Sequence, residues 1–324
     1  MKFLNNTQVI AGIFAGVVAA ILSLGATVPS TVSFFLYAAT ALPIMIAGLS
    51  WGNRVTIISI VTALVLASLA VSPKFAATIA IFTLLPAGWL SHLANLARPA
   101  NEIGGPDHLL AWYPLSSILL HLCIIVTGAV ILLGWMMGYG PELVSQVVDA
   151  MLKNATAPEG LTLPNGDGIE QLKSTFVTML PMMQGGLWVI LLFVAYYFAT
   201  RIAQASRKSL RPREDMRAAL RMHRNSLFVF MVAITATFFG GYIAIIAAVV
   251  CGTFGAGFLL AGYASLHHRL KDKEWRLPVL ILAYLSGLFV FPLFIIVVLG
   301  MTDVRSLISL TPISKNDHNN PKQH

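Results

Sequence analysis

The chain has 324 residues, 57% of them hydrophobic and only 10% charged, with a mean hydropathy of +0.79. A soluble domain carries about 25% charged residues, so an ordinary soluble fold is excluded. The net charge of +8 would suggest nucleic-acid binding in a soluble protein. Cytoplasmic loops of membrane proteins are rich in Lys and Arg anyway, and no nucleic-acid partner is expected.

Apolar runs of about 17 to 25 residues, the length that crosses a hydrocarbon core, recur along the chain. The first covers 8–28 and sets Ala11, Ala15 and Ala19 at every fourth position, beside Gly12, Gly16 and Ala20. Such a smooth face serves internal packing or docks a second membrane subunit, and a docking face is the sharper expectation. Spans over 33–50, 55–71 and 75–93 follow, the first with Leu42-Pro43 and the last with Leu85-Pro86. A polar loop with Pro99, Gly104, Gly105 and Pro106 occupies 94–108, and the fifth span covers 112–137.

Residues 138–175 then form an acidic loop outside the membrane, where Leu143, Val147, Ala150 and Met151 share one face of a short amphipathic helix. A second membrane half spans 176–300, and a polar tail covers 301–324, disordered beyond Pro312. Within that half, 226–266 is long enough for two spans, with Gly240-Gly241 as the turn, and the last span runs 277–300. The expected fold is all-α, a polytopic membrane protein of about nine transmembrane helices with its N-terminus inside.

The strongest orientation signal is the block 201–224, which holds eight of the 21 Lys and Arg, inside the basic loop 201–225. Placing it inside leaves 15 basic residues inside and six outside, with the tail outside. Arg213, Arg217, Arg221 and Arg224 follow at helical spacing, which predicts an amphipathic helix on anionic lipid headgroups.

No charged residue falls within a span, which disfavours a proton- or ion-coupled pump. No HExxH, CxxC, GxSxG or phosphate-loop motif occurs, so neither an enzyme, a metal site nor a cofactor is expected. Cys123 and Cys251 sit in apolar runs and read as buried hydrophobes. Gln184, after Pro181 and beside Gly185, is the best candidate to line a pocket for a small neutral ligand, because broken helices expose backbone for binding. His121, two turns inside the fifth span, Pro43 and Trp51 are further candidates.

Three stretches carry a family resemblance: ALPIMIAGLSWGNR at 41–54, FLLAGYASLHHRLKDKEWRLPVLILAY at 258–284, and LGMTDVR at 299–305. On these the chain resembles the YybS-like family of predicted bacterial membrane proteins (DUF2232), which implies a multi-pass protein of the bacterial inner membrane. The first four spans more distantly resemble substrate-binding components of energy-coupling-factor vitamin transporters. There an Ala-xxx-Ala helix docks on the energising module, matched by Ala11, Ala15 and Ala19. A Leu-Pro and an aromatic-Gly pair are matched by Leu42-Pro43 and Trp51-Gly52. That resemblance implies a transport-related protein dependent on a partner subunit, although nine spans and no vitamin-binding motif depart from the pattern. The alternative is a membrane scaffold or assembly factor that uses its basic cytoplasmic face.

Overall fold

The computed structural model describes residues 5–27, 31–154, 166–287 and 290–312. Of the loop expected at 158–168, residues 158–165 lie outside the described residues, as does the tail beyond Pro312, while 166–168 are helical.

Helix α1 (Asn6–Leu24) starts where the Gln8 side chain accepts the Asn5 backbone N–H at 3.3 Å. Its small face is turned inward: Gly12 lies against Val55 and Ile58, and Gly16 against Ser59 and Thr62. The contact order shows that α1 runs in the same direction as the helix carrying those residues. Between them the chain returns through α2 (Thr31–Ala39) and α3 (Ala41–Trp51), interrupted at Thr40, four residues after Leu36 and three before Pro43. Pro43 has no N–H for the Ala39 carbonyl, so the helix breaks there. Helix α4 (Asn53–Ala70) follows Gly52, and the next crossing is α5 (Pro73–Ile79), a π turn over Ala80–Leu84 and α6 (Leu85–Ala94). Pro86 explains the widened turn, since it cannot close the ordinary hydrogen bond to the preceding turn.

Residues expected as loop and tail build a small sheet. β1 (Ala97–Pro99) pairs antiparallel with β2 (Leu109–Trp112), and β2 with β3 (Leu310–Pro312). Trp112 Nε1 donates to Thr311 Oγ1 at 2.8 Å, and Ser116 Oγ to Ser306 Oγ at 2.9 Å. The fold is helical as expected, with one small three-stranded sheet added, which ties residue 310 to the segment that follows α6.

Helix α7 (Leu115–Met136) leads to the amphipathic α8 (Pro141–Asn154), and then to α9 (Gly166–Ala205), 40 residues long. At 1.5 Å rise per residue α9 is about 60 Å long, so its first turns project beyond a core of about 30 Å. After the one-turn α10 (Met216–Ala219), α11 (Arg224–Ala236) and α12 (Gly241–Arg269) form a complete hairpin, with Gly240 and Gly241 at φ 74° and 58°. These are left-handed values that glycine adopts without a Cβ clash. Helices α9 and α12 pack closely because Gly252 faces the Met182 carbonyl, where any side chain would collide with backbone.

The last span is corrected. Helix α13 (Arg276–Ser286) and helix α14 (Val290–Thr302) are too short to cross singly, at 11 and 13 residues. Tyr284 of α13 stacks on Tyr263, so α13 rises along the end of α12. Gly300 then lies against the Phe258 carbonyl and Asp303 against Ser265, so α14 descends parallel to α12. The pair enters and leaves on one face. Arg305 is consequently on the same face as the basic loops, not opposite them.

That face is bound together by specific contacts. Leu210 N–H donates to the Leu49 carbonyl at 3.3 Å, Arg211 Nη1 to the Ala94 carbonyl at 3.3 Å, and Arg221 Nε to Asp303 at 2.6 Å. One apolar core runs through α3, α6, α7, α9 and α12, with Ile44, Met45, Leu90, Leu119, Leu192 and Phe258 fully buried. Among the described residues six helices are long and apolar enough to cross a membrane.

Candidate functional site

A recess lies where α9, α12 and α13 diverge at the basic face. Ile190, Phe193 and Val194 of α9 face Leu259 and Leu260 of α12, and the groove has a volume of about 1010 Å³. Helical spacing puts Phe193, Tyr197 and Arg201 in one row on α9, and Tyr263 and His267 in one row on α12. The deep end is therefore apolar, while the open end carries hydroxyls, an imidazole and guanidiniums.

Polar contacts order the rim. Tyr263 and Tyr284 stack with ring centroids 4.8 Å apart, Tyr263 donates to the Ala283 carbonyl at 3.2 Å, and His267 Nε2 lies 2.9 Å from the Tyr284 hydroxyl. The Arg201 guanidinium sits 5.3 Å from the centre of the Tyr197 ring and donates to its hydroxyl. The loop between α9 and α11 covers one side. Its Asp215 is held at 3.1 Å by Arg217, which outweighs burial and keeps the carboxyl below its usual range. Glu214 is bound by the buried Arg211 at 2.8 Å. Both carboxylates of the rim are thus committed. Among the described residues, none lies within ion-pair distance of Arg201, Arg213 or Arg276.

A second recess of about 520 Å³ adjoins this one, lined by Gln204, Arg207 and Ser209, and shares Arg201 and Arg213 with it.

The pocket candidates from the sequence do not converge. Helix α9 runs unbroken through Pro181 and Gly185; both are buried against neighbouring helices, while Gln184 is exposed on the outer surface. The expected exposed backbone is therefore absent at this point. Trp51 lies beneath Lys208, its ring centre 4.7 Å from Nζ, and Pro43 is half-buried at the α2–α3 break. His121 bonds the Ser117 carbonyl and joins Trp89, His92 and Tyr113 in a separate aromatic cluster. Among the described residues no group of His, Cys, Asp and Glu is arranged to hold a metal.

The docking stripe is occupied from within. Ala15 packs with Ala47 and Val55, Ala19 is fully buried, and Ala11 is half-buried; the exposed row of α1 is Ile10, Phe14 and Ile21. The expected lipid-surface helix is also corrected, because between Arg213 and His223 only Met216–Ala219 is helical, Arg224 begins α11, and Arg221 is fully buried. Arg213 and Arg224 remain exposed, and Arg217 is partly so. The sequence marked the basic loop but missed Phe193, Leu260, Tyr263 and Tyr284, which looked like ordinary span residues. The i, i+4 pair Tyr263 and His267 near a basic loop was the available signal.

A search of curated proteins and of solved structures finds no match. The family described as "Predicted membrane protein (DUF2232)" matches residues 17–304, most of the chain, so this protein belongs to the DUF2232 family of predicted membrane proteins.

Proposed function

We propose that the chain is a non-catalytic, transport-related binding protein of the bacterial cytoplasmic membrane, which takes an amphiphilic small molecule into the groove between α9, α12 and α13. The observation that carries this reading is the groove itself: an apolar cleft, open at the basic face, with ordered tyrosines at its mouth. Membrane ligand sites of this kind are lined mainly by apolar and aromatic groups, with a few placed polar atoms.

In this reading the six long helices are joined by two shorter crossings, α2–α3 and α11 with its following turn, to give eight, and α13–α14 is re-entrant. The basic face is cytoplasmic, by the excess of Lys and Arg there, and faces anionic headgroups. A scaffold role is a second reading, favoured by the exposed Arg207 and Lys208 on the same face. A partner or energising subunit would have to engage that face or the outer row of α1.

The test is native mass spectrometry of the protein extracted in mild detergent. A retained ligand lost in Leu260→Trp, which fills the groove, supports the reading. A ligand retained equally by that folded variant overturns it, and complete absence of ligand favours the scaffold.

A further inference from the structure

Accepting the groove as a binding site, we infer that its ligand carries a phosphate-type anionic head, held in the adjoining arginine recess while its chain lies along the groove.

Three observations converge. The two recesses are contiguous through Arg201 and Arg213, so one molecule can occupy both. The smaller recess has three exposed guanidiniums, Arg201, Arg207 and Arg213, with no carboxylate of the described residues in ion-pair reach. Gln204 and Ser209 add neutral polar groups to its lining. The Ser209 hydroxyl donates to the Arg211 carbonyl at 2.7 Å, so the guanidiniums with the Gln204 amide are the donors that match the several oxygens of a phosphate better than one carboxylate. The acids nearby, Glu214 and Asp215, are each bound to their own arginine and leave the net field positive.

The third observation is backbone strain. Arg207 caps the C-terminal end of α9 with φ 54°, the left-handed conformation that glycine takes at helix ends. A non-glycine residue there is disfavoured, and such outliers concentrate at functional sites. An arginine in a glycine position, lining a cationic recess, fits selection for its side chain.

The chemistry is shared by a lipid phosphate and by free phosphate, and the groove separates them. Its apolar wall continues inward from the recess by way of Tyr197, Val194 and Ile190, at successive turns of α9. A free anion would use the arginines and leave that wall unoccupied.

The experiment uses the full chain in phosphatidylcholine nanodiscs, titrated with radiolabelled dodecyl phosphate, with dodecanol and inorganic phosphate as competitors. Saturable dodecyl phosphate binding that neither competitor displaces at equal concentration is expected. Hydrogen bonds to charged groups are worth about 1.5–3 kcal/mol, so Arg201→Gln with Arg213→Gln should weaken binding about 10- to 100-fold. The double Lys variant should recover part of that loss. Arg207→Gly should weaken binding while raising the melting temperature, an opposition that a structural role for Arg207 does not produce. If dodecanol competes as well as dodecyl phosphate, the groove binds but the anionic head is wrong. Full competition by inorganic phosphate overturns the lipid assignment, and no saturable binding of any probe removes the groove reading with it.

Discussion

The Tyr139 hydroxyl donates to the Val177 carbonyl at 3.2 Å, and Val177 is the residue whose helix partner Pro181 removes. Proline lacks the N–H that would bond the carbonyl four residues earlier, and inside a membrane that carbonyl needs a substitute. Tyr139 supplies it from the α7–α8 connection. Burial pushes its phenol up to about 12, so it stays a donor throughout the physiological range.

Removing that hydroxyl with Tyr139→Phe should destabilise the fold by about 1 kcal/mol, the ordinary net worth of one hydrogen bond. In a Pro181→Ala background the helix recovers its own bond, and the penalty should fall towards zero. A double-mutant cycle on thermal or denaturant unfolding measures the coupling; additive effects would disprove the compensation.

The Arg221–Asp303–Ser265 contact makes a pH prediction. Burial opposes the Asp303 carboxylate, but the Ser265 hydrogen bond and Arg221 charge outweigh it and lower its pKa. A lowered native value contributes stability above the unfolded pKa of about 3.9, lost as pH falls through the native value. Asp303→Asn should therefore cost about 3 kcal/mol at neutral pH, because Arg221 is left buried and unpaired. The gap between variant and wild type should narrow below about pH 4. A constant gap in unfolding measured from pH 3 to 7 would show that the charge pair is not responsible.

Side-specific labelling tests the arrangement of the ends. Single cysteines at Arg305 and Lys208 should react with an impermeant maleimide from the same side, and one at Glu142 from the other. Arg305 reacting with Glu142 would mean that α13–α14 crosses the membrane after all.

The α9–α12 crossing leaves no room at Gly252, which abuts the Met182 backbone. Gly252→Leu should abolish the monodisperse species in size-exclusion chromatography, whereas Gly128→Leu, with open space around it, should be tolerated.

Local and global signals were legible to different degrees. The long helices α1, α4, α7 and α12 follow from apolar length alone, and Gly240-Gly241 from the need for a left-handed turn. Residues 277–300 look like one span because hydropathy measures composition, not the reversal of chain direction between α13 and α14. Arg221 looked like a surface residue because its partner Asp303 lies 82 positions away. For the same reason the Ala11–Ala19 stripe could signal small-residue packing without naming α4 as the surface packed against. The groove depends on residues of three helices meeting, and only its arginines stood out before they met.

The strand β3 also has a consequence for biogenesis. It follows α13–α14 in the chain and completes the sheet begun by β1 and β2 some two hundred positions earlier. The sheet cannot close until the whole membrane domain has been synthesised. Its closure therefore follows the synthesis of α14, and a conformational probe on the 97–112 segment would distinguish chains that have passed that point from those that have not.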